Sequence, residues 1–296
     1  MSDRELVAEI AGRFLPADIA ARWLRLLRPA AALRYARPGA PVAAVLGGQP
    51  RLPESAEWPV WERHGPLSFI AAIDCAALSA VPLHIPLPFG VMLFFYFDGQ
   101  IDDDEDDEAV VGTWDTATLA GARMLYVRPD QATSVRACPA GIEPYPRVGL
   151  AAVPVVTFPP REDPDLLAAF KDPAEDLDSF FFDHPVNGDA FQQALWDRQV
   201  AVWDRPAPRH QVGGYASPVQ WPPEYDVAKA TLGGGLYRHD SFARDEAARW
   251  TLLAQIDSDD RAEMNWGDAG VLYWLTRSRD PAGGDLEKVS FTWQCY

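Results

Sequence analysis

The sequence predicts an α+β fold, in which internally duplicated antiparallel β units pack into one globule with N-terminal and central helices. Short apolar runs bounded by proline and glycine are typical of buried strands. Apolar residues recur at helical spacing near the N-terminus and in the middle of the chain. Three sequence blocks also occur twice in the same order, which indicates a repeated unit.

We predict a single domain over residues 1–296, with repeat halves at about 40–130 and 205–296 and an N-terminal helical cap over residues 1–35. A chain of 296 residues that is 48% hydrophobic can bury the core of one large domain or of two closely packed halves. Both arrangements are compatible with the composition.

Helices are predicted at the N-terminus and in the middle of the chain. Residues 3–28 have the pattern of two amphipathic helices separated at Leu15-Pro16, because proline interrupts a helix. Asp189 is a plausible N-cap for the last central helix. The central helices are predicted at residues 164–170, 174–182 and 190–203.

The recurring blocks predict two equivalent sets of strands. In each copy one strand ends on Ile-Asp, at Asp74 and Asp257, so the two carboxylates are expected at equivalent loop positions. Chance recurrence of common strand patterns is the alternative explanation. The matched blocks are Gly47-Gly48 and Trp58-Pro59 with Gly213-Gly214 and Trp221-Pro222, Phe69–Asp74 with Leu252–Asp257, and Gly90–Phe95 with Gly270–Leu275.

The charge balance argues against some classes of partner. The chain has 26 basic and 43 acidic residues, a net charge of −17, which repels nucleic acids and anionic lipid surfaces. We therefore expect an unknown protein or small-molecule ligand as partner, with no nucleic acid and no membrane. The acidic run of residues 101–108 is predicted to be an exposed loop, and it lacks the glycine that an EF-hand calcium loop requires.

Cysteine usage and hydropathy predict a cytoplasmic protein. The three cysteines are widely spaced and odd in number, which is typical of a reducing compartment. The N-terminus lacks the unbroken apolar core of a signal peptide. The most apolar stretch, residues 65–97, is interrupted by four prolines and does not suit a membrane span.

Several segments together resemble the YwqG-like family of bacterial proteins of unknown function. The resemblance implies a compact α+β protein with duplicated β architecture, and it supplies no activity. Ala216 and Asn265 depart from the residues that are common in that family. The segments that carry the resemblance are Gly47–Pro53, Trp58-Pro59, Pro66–Asp74, Gly90–Tyr96, His210, Gly214-Tyr215, Gln220, Gln255–Asp259, Met264–Gly270 and Gln294–Tyr296.

Common catalytic signatures were sought and not found. The chain has no GxSxG elbow, HExxH pair, P-loop or CxxC arrangement, so we predict no catalytic residue, cofactor or metal and lean against an enzyme. Five carboxylates lie between Asp257 and Asp268. They could form an irregular cation site, or they could accept backbone N–H bonds that fix the loop.

The binding residues are predicted to form the polar wall of one groove in the C-terminal copy. Glycines bracket them as turns, and both Asp257 and Asp268 are expected at one edge of the sheet. The alternative is an internal hydrogen-bond network around a buried carboxylate. The seven predicted residues are His210, Tyr215, Gln220, Gln255, Asp257, Trp266 and Asp268.

Two functions compete at this point. The first is a non-catalytic binding or interaction protein, of which an immunity-type protein with an acidic surface against a basic partner is one version. The second is an enzyme or small-molecule binder that uses the polar groove of the C-terminal copy. The absent catalytic signatures and the strong negative charge favour the first.

Overall fold

A computed structural model describes residues 2–100, 109–172, 174–203, 208–233, 240–277, 286 and 289–296. The predicted acidic loop at 101–108 lies outside these residues. Secondary structure alternates between short helices and antiparallel strands, as the α+β prediction requires.

The helices are concentrated before the first strand and in the middle of the chain. Short 3₁₀ turns follow α2, precede β8 and follow α4. Ser2 caps α1 through a reciprocal capping box with Glu5, and Asp163 caps α3 by accepting the Asp165 N–H. The helices are α1 (Asp3–Phe14), α2 (Ala17–Trp23), α3 (Pro164–Phe170), α4 (Leu177–Asp183), α5 (Asp189–Trp203), α6 (Glu224–Thr231) and α7 (Ser241–Ala247).

Ten of the strands form one antiparallel sheet, and the other four form two small ribbons. The strands are β1 (Arg28–Tyr35), β2 (Ala44–Leu46), β3 (Arg51–Pro53), β4 (Val60–Trp61), β5 (Gly65–Pro66), β6 (Ser68–Asp74), β7 (Val91–Tyr96), β8 (Ala122–Val127), β9 (Thr133–Val135), β10 (Val148–Thr157), β11 (Gln211–Val212), β12 (Thr251–Asp257), β13 (Val271–Thr276) and β14 (Val289–Gln294).

The large sheet has a central pair and two outer arms. Its order is β14-β13-β12-β11-β1-β10-β2-β6-β7-β8. β1 and β10 pair along eight residues at the centre. We call β2, β6, β7 and β8 the N-terminal arm, and β11 to β14 the C-terminal arm. Counted outward from the central pair, the strands of each arm follow their order in the sequence, β2, β6, β7 and β8 in one arm and β11, β12, β13 and β14 in the other.

The arms also share their strand register. Ala71 pairs with Leu46 and Phe94, and Ala254 in the C-terminal arm pairs with Val212 and Trp274. Both arms have a register shift just before that alanine. In each arm the glycine that follows the innermost strand donates its N–H to the carbonyl of the residue at the register shift. Gly47 donates to Ile70 at 2.9 Å, and Gly213 donates to Leu253 at 3.0 Å. β6 and β7 of the N-terminal arm therefore pair in the same register as β12 and β13 of the C-terminal arm.

The main hydrophobic core joins both arms. Phe94 of β7 meets Trp274 of β13 edge to face, with ring centroids 4.8 Å apart, and Tyr96 lies 5.4 Å from Phe291 of β14. Strands so distant in the sheet order can touch only if the sheet bends strongly. The Trp293 indole N–H also donates to the Val111 carbonyl at 2.7 Å, which links the outer ends of the arms.

A second apolar cluster lies between the helices and the centre of the sheet. Trp23 of α2 packs edge to face on Phe191 of α5 at 5.0 Å and also meets Phe158, which directly follows β10. Leu166 of α3 and Phe180 of α4 are fully buried in the same cluster. The N-terminal and central helices thus share one core.

The structure corrects the predicted N-terminal cap. Helical structure ends at Leu26, and residues 28–35 form the central strand β1 instead. The run Pro29–Leu33 is alanine-rich and favours helix locally, but burial between β10 and β11 overrides that preference. The sequence analysis also missed β10, which contains Pro154 in a central strand, where proline is rare.

The predicted central helices agree closely with the structure. α3 covers the predicted range 164–170, and α4 and α5 begin within three residues of the predictions. Asp189 is the first residue of α5. Within the described ranges, no helix has both the length and the apolar character needed to cross a bilayer. All three cysteines are free thiols, and Cys75 is buried.

Candidate functional site

Three of the seven predicted residues meet in a buried network of the C-terminal arm. His210 is 1% exposed and Gln255 is 0% exposed. The His210 Nδ1 accepts the Asp257 backbone N–H at 3.1 Å, and its Nε2 lies 2.9 Å from Asp259 Oδ2. Because Nδ1 is an acceptor, the neutral ring carries its proton on Nε2 and donates it to Asp259.

Asp259 is the acceptor at the centre of this network. It also accepts from the Tyr35 hydroxyl at 3.0 Å and from the backbone N–H groups of Arg261 and Ala262 at 2.8 and 3.0 Å. Burial acts to raise the pKa of Asp259, but the hydrogen bonds from His210, the Ala262 backbone and Tyr35 lower it below the ordinary value. Asp259 therefore stays ionised, held by four donors.

Asp257 and Gln255 have their own partners. Asp257 accepts the Arg209 N–H at 2.8 Å and the Arg209 Nε at 3.3 Å. Gln255 accepts the Ser217 N–H at 2.9 Å and donates to the Arg209 carbonyl at 2.6 Å, while Arg209 also donates to the Ser217 hydroxyl. These buried polar groups satisfy one another, which favours the internal network over an open groove.

Tyr215 lies in a different cluster, around Arg28. Its hydroxyl donates to Asp165 at 3.3 Å, and the Arg28 guanidinium lies 4.1 Å from its ring centroid. Arg28 also forms an ion pair with Asp165. Arg28 and Asp165 line a small cavity together with the buried carboxyls of Asp163 and Glu224. The cavity volume is about 10 Å³, which leaves room for about one water molecule.

Burial dominates the titration of this carboxyl cluster. It raises the pKa of Glu224 to about 7 and the pKa of Asp163 well above its ordinary value, where the charges of Glu224 and Asp165 add to the effect. Arg28 is the one cation beside these three carboxyls in the cavity lining. The sequence analysis missed the cluster, since Arg28, Asp163 and Glu224 are far apart in sequence and no local motif joins them.

Gln220 and Asp268 lie near the end of the chain. Gln220 is exposed and donates to the Cys295 carbonyl at 2.8 Å. Asp268 is also exposed, and its backbone carbonyl accepts the Tyr296 N–H at 3.1 Å. Neither side chain reaches the buried network through any hydrogen bond of the described residues. The binding role of the seven residues stays a prediction.

Trp266 lines a separate opening, which we call the aromatic cavity. Its volume is about 370 Å³, within the range of ligand pockets. The Trp266 ring packs edge to face on Tyr96 at 5.7 Å and on Tyr145 at 6.1 Å. The cavity is defined here by Tyr96, Phe97, Asp98, Trp266 and Trp293.

Asp98 gives the aromatic cavity a negative charge. It accepts the Tyr145 hydroxyl at 2.6 Å and the Gln100 side-chain amide at 2.8 Å. Burial first, and then the Asp98 charge, raise the pKa of both Tyr96 and Tyr145 above the ordinary range for tyrosine. The phenols therefore stay neutral while the carboxylate supplies charge.

Gly99 and Ala109, which lie before and after residues 101–108 in the sequence, both line this cavity. Residues 102–108 are seven consecutive Asp and Glu residues in the sequence. Of the cavity side chains, sequence reasoning had selected only Trp266. Tyr96 at the end of β7 and Trp293 near the end of β14 both line the aromatic cavity because the sheet bends.

The carboxylates between Asp257 and Asp268 left two alternatives open, an irregular cation site or a loop fixed by backbone N–H bonds. Within the described part of the chain, no group of three or more histidine, cysteine, aspartate or glutamate side chains is arranged to hold a metal ion. Asp259 instead fixes its loop by accepting backbone N–H groups, the role that was the alternative to ion binding.

Comparison with curated proteins gives no match to this chain. A model of a domain of unknown function, DUF1963, matches residues 44–295, which include both arms of the sheet and the aromatic cavity but not Arg28 or Tyr35 of the two polar clusters. The chain therefore belongs to the DUF1963 family.

Proposed function

We propose that this protein is a non-catalytic binding protein whose aromatic cavity receives an arginine or lysine side chain from a basic partner protein. The observation that carries the proposal is a cavity of about 370 Å³ that combines four aromatic residues with Asp98. The aromatic faces and the carboxylate attract the same kind of ligand group.

The chemistry of the cavity suits a cation. Arginine and lysine bind over tryptophan and tyrosine faces because the ring quadrupole is negative there. Asp98 can accept a charge-assisted hydrogen bond from the same group. The seven acidic residues of the run would accelerate association with a basic surface at low salt.

A catalytic role has less support. The most polar cluster, around His210 and Asp257, is buried and its groups bond to one another. The cavity beside Asp163 and Glu224 holds no more than about one water molecule. Neither cluster offers a substrate a free polar group beside an opening of useful size.

Isothermal titration calorimetry tests the proposal with two Gly-Ser peptides. One carries an arginine flanked by lysines, and the other carries citrulline, the neutral isostere of arginine, at the same position. We expect citrulline to weaken binding about tenfold, and Asp98→Asn to weaken binding of the arginine peptide to a similar extent. Asparagine keeps an acceptor for the Tyr145 hydroxyl, so the fold is retained.

The matched control is Asp74→Asn, an exposed aspartate outside the cavity, which should leave affinity unchanged. Higher salt should weaken both peptides, because the acidic run attracts their lysines. Equal affinity for the two peptides, together with full affinity in Asp98→Asn, would contradict cation recognition by the cavity.

Three finer assignments are also proposals. We propose that the family corresponds to the YwqG-like proteins, on the segments named above. The matching registers and shifts of the two arms support an origin by duplication. The three free thiols support a cytoplasmic location.

A further inference from the structure

The lining of the aromatic cavity includes a second polar side chain, Asn265. It lies in the loop between β12 and β13, whereas Asp98 directly follows β7. Most of the aromatic lining is buried, but Asn265 is exposed, and both Asp98 and Trp293 are half-buried. A ligand in the cavity therefore has access mainly to these three side chains.

A hydrogen bond fixes which way the Asn265 amide faces. Its Nδ2 donates to the Gly267 carbonyl at 2.9 Å, so the amide nitrogen is engaged within the loop. The Asn265 Oδ1 makes no hydrogen bond with the described residues. Asn265 therefore offers a neutral acceptor at the exposed part of the cavity lining.

Asp98 can also accept a further hydrogen bond. Its Oδ2 accepts the Tyr145 hydroxyl and the Gln100 side-chain amide, and its Oδ1 accepts the Gln100 backbone N–H at 3.2 Å. A carboxylate has about four lone-pair sites, so the Asp98 Oδ1 can receive another donor beyond those of the described residues. The cavity thus has two acceptors, one charged and one neutral.

Trp293 supplies an aromatic surface for the same ligand. Its indole N–H donates to the Val111 carbonyl at 2.7 Å, which uses the only polar group of the side chain. A guanidinium group is planar, stacks on aromatic rings and keeps its N–H donors around its edge. An ammonium group has donors without a flat face, and a trimethylammonium group has neither.

We propose that the aromatic cavity selects arginine over other cationic side chains and that Asn265 is the residue that determines this specificity. The inference rests on the proposed function, since it requires that the cavity receives a cation. Asp98 attracts any cation, whereas the neutral Asn265 Oδ1 favours a cation that has N–H donors. Arginine can bond to both acceptors while its flat face lies on Trp293.

Calorimetry tests the selection with the same lysine-flanked Gly-Ser peptides, carrying arginine, lysine or N,N,N-trimethyllysine at the central position. We expect arginine to bind about tenfold more tightly than trimethyllysine, with lysine between them. Asn265→Leu should weaken binding of the arginine peptide about fivefold and leave that of the trimethyllysine peptide unchanged. Damage to the fold would instead weaken both peptides alike.

Asn265→Asp is the matched control. It loses the same Nδ2 donor to Gly267 as the leucine variant loses, but it keeps acceptor oxygens and should keep the preference for arginine. Because Asn265 is exposed, both variants should fold.

Three results would overturn the inference: equal binding of arginine and trimethyllysine, an equal loss for both peptides in Asn265→Leu, or the same loss of preference in Asn265→Asp. If citrulline still binds weakly in these cases, cation recognition by the cavity stands and only the selection of arginine fails. Equal binding of citrulline and arginine, with full affinity in Asp98→Asn, would overturn both.

Discussion

The two arms of the sheet have the same register but different chemistry in their interiors. At matching positions the N-terminal arm has small or apolar side chains, whereas the C-terminal arm has polar ones that hydrogen-bond to backbone groups and to Asp259. The matched pairs are Ala44 and His210, Val45 and Gln211, Ala72 and Gln255, and Leu93 and Tyr273.

The comparison teaches that one backbone arrangement supports two ways of filling a core. Asp74 ends β6, is exposed and accepts the Ala76 N–H at 2.9 Å. Asp257 ends β12 at the matching place, yet it is buried against Arg209. Burying polar groups is tolerable only when each has a partner, so the C-terminal arm depends on its network as a unit.

The largest difference between the arms should come from the two matched aspartates. Asp257→Ala leaves the Arg209 guanidinium buried without its carboxylate and should destabilise the protein by about 3–5 kcal/mol. Asp74→Ala removes exposed hydrogen bonds and should cost less than about 1 kcal/mol. Urea denaturation at neutral pH measures both. Equal losses would mean that the network adds nothing specific to the C-terminal arm.

The matched glycines offer a second contrast, in which the N-terminal arm is the more sensitive. A Cβ at Gly47 would lie 2.4 Å from the Pro146 carbonyl oxygen, whereas at Gly213 its nearest neighbour would be 3.5 Å away, at His84. Both glycines have positive φ, so alanine is strained at each. Gly47→Ala should cost about 1–3 kcal/mol more than Gly213→Ala by thermal or urea unfolding.

Gly48 and Gly214, the next glycine in each arm, should show the opposite order of destabilisation and therefore serve as the control. A Cβ at Gly214 would lie 2.6 Å from Thr157, whereas at Gly48 it would meet the flexible Arg147 side chain at 3.2 Å. Gly214→Ala should therefore be the more destabilising of this pair. If Gly47→Ala and Gly213→Ala prove equally costly, backbone strain alone sets the effect and the close approach to Pro146 is not limiting.

The smallest expected effect concerns pH. Trp61 and Glu224 each lie three residues after the tryptophan of a Trp-Pro pair, but they belong to different elements, β4 and α6, and of the two only Glu224 is ionisable. The folded pKa of Glu224 is about 7 against an ordinary 4.5. Its contribution to stability is complete below pH 4.5 and is lost as the pH rises through 7, because ionisation then opposes folding.

Glu224→Gln should remove part of that pH dependence. Between pH 5 and pH 8, the variant should lose about 1–2 kcal/mol less free energy of unfolding than the wild type loses. Asp163, whose pKa is raised in the same direction, keeps some slope in the variant. Urea unfolding at several pH values gives the comparison. Glu62→Gln, an exposed change beside Trp61, should leave the slope unaltered. Parallel curves for wild type and Glu224→Gln would show that Glu224 is ionised in the folded protein.

Local pattern predicted the arms better than the centre of the sheet. The apolar runs around Ile70 and Leu253 identify strands without tertiary information. β1 and β10 escaped prediction because an alanine-rich run and an internal proline favour other structures locally. Their strand conformation comes from pairing with each other over long sequence separation.

The candidate sites follow the same rule. His210 and Asp257 were expected in one polar cluster because glycine turns bracket the predicted residues, and in the structure the His210 ring accepts the Asp257 backbone N–H. The pairing of His210 with Asp259 and the entry of Tyr35 into the network depend on β1, which the sequence did not reveal. The aromatic cavity requires a bend of the whole sheet, and no local pattern encodes such a bend.

The position of β1 affects how the protein can be shortened. β1 lies before the family-matched residues 44–295, yet it is hydrogen-bonded to β10 on one side and β11 on the other. A chain trimmed to 44–295 would expose the unpaired edges of both strands, which are templates for intermolecular pairing and aggregation. It would also lose Arg28, the cation beside the carboxyls of Asp163, Asp165 and Glu224. The domain boundary of the sequence family is therefore not a folding boundary of this protein.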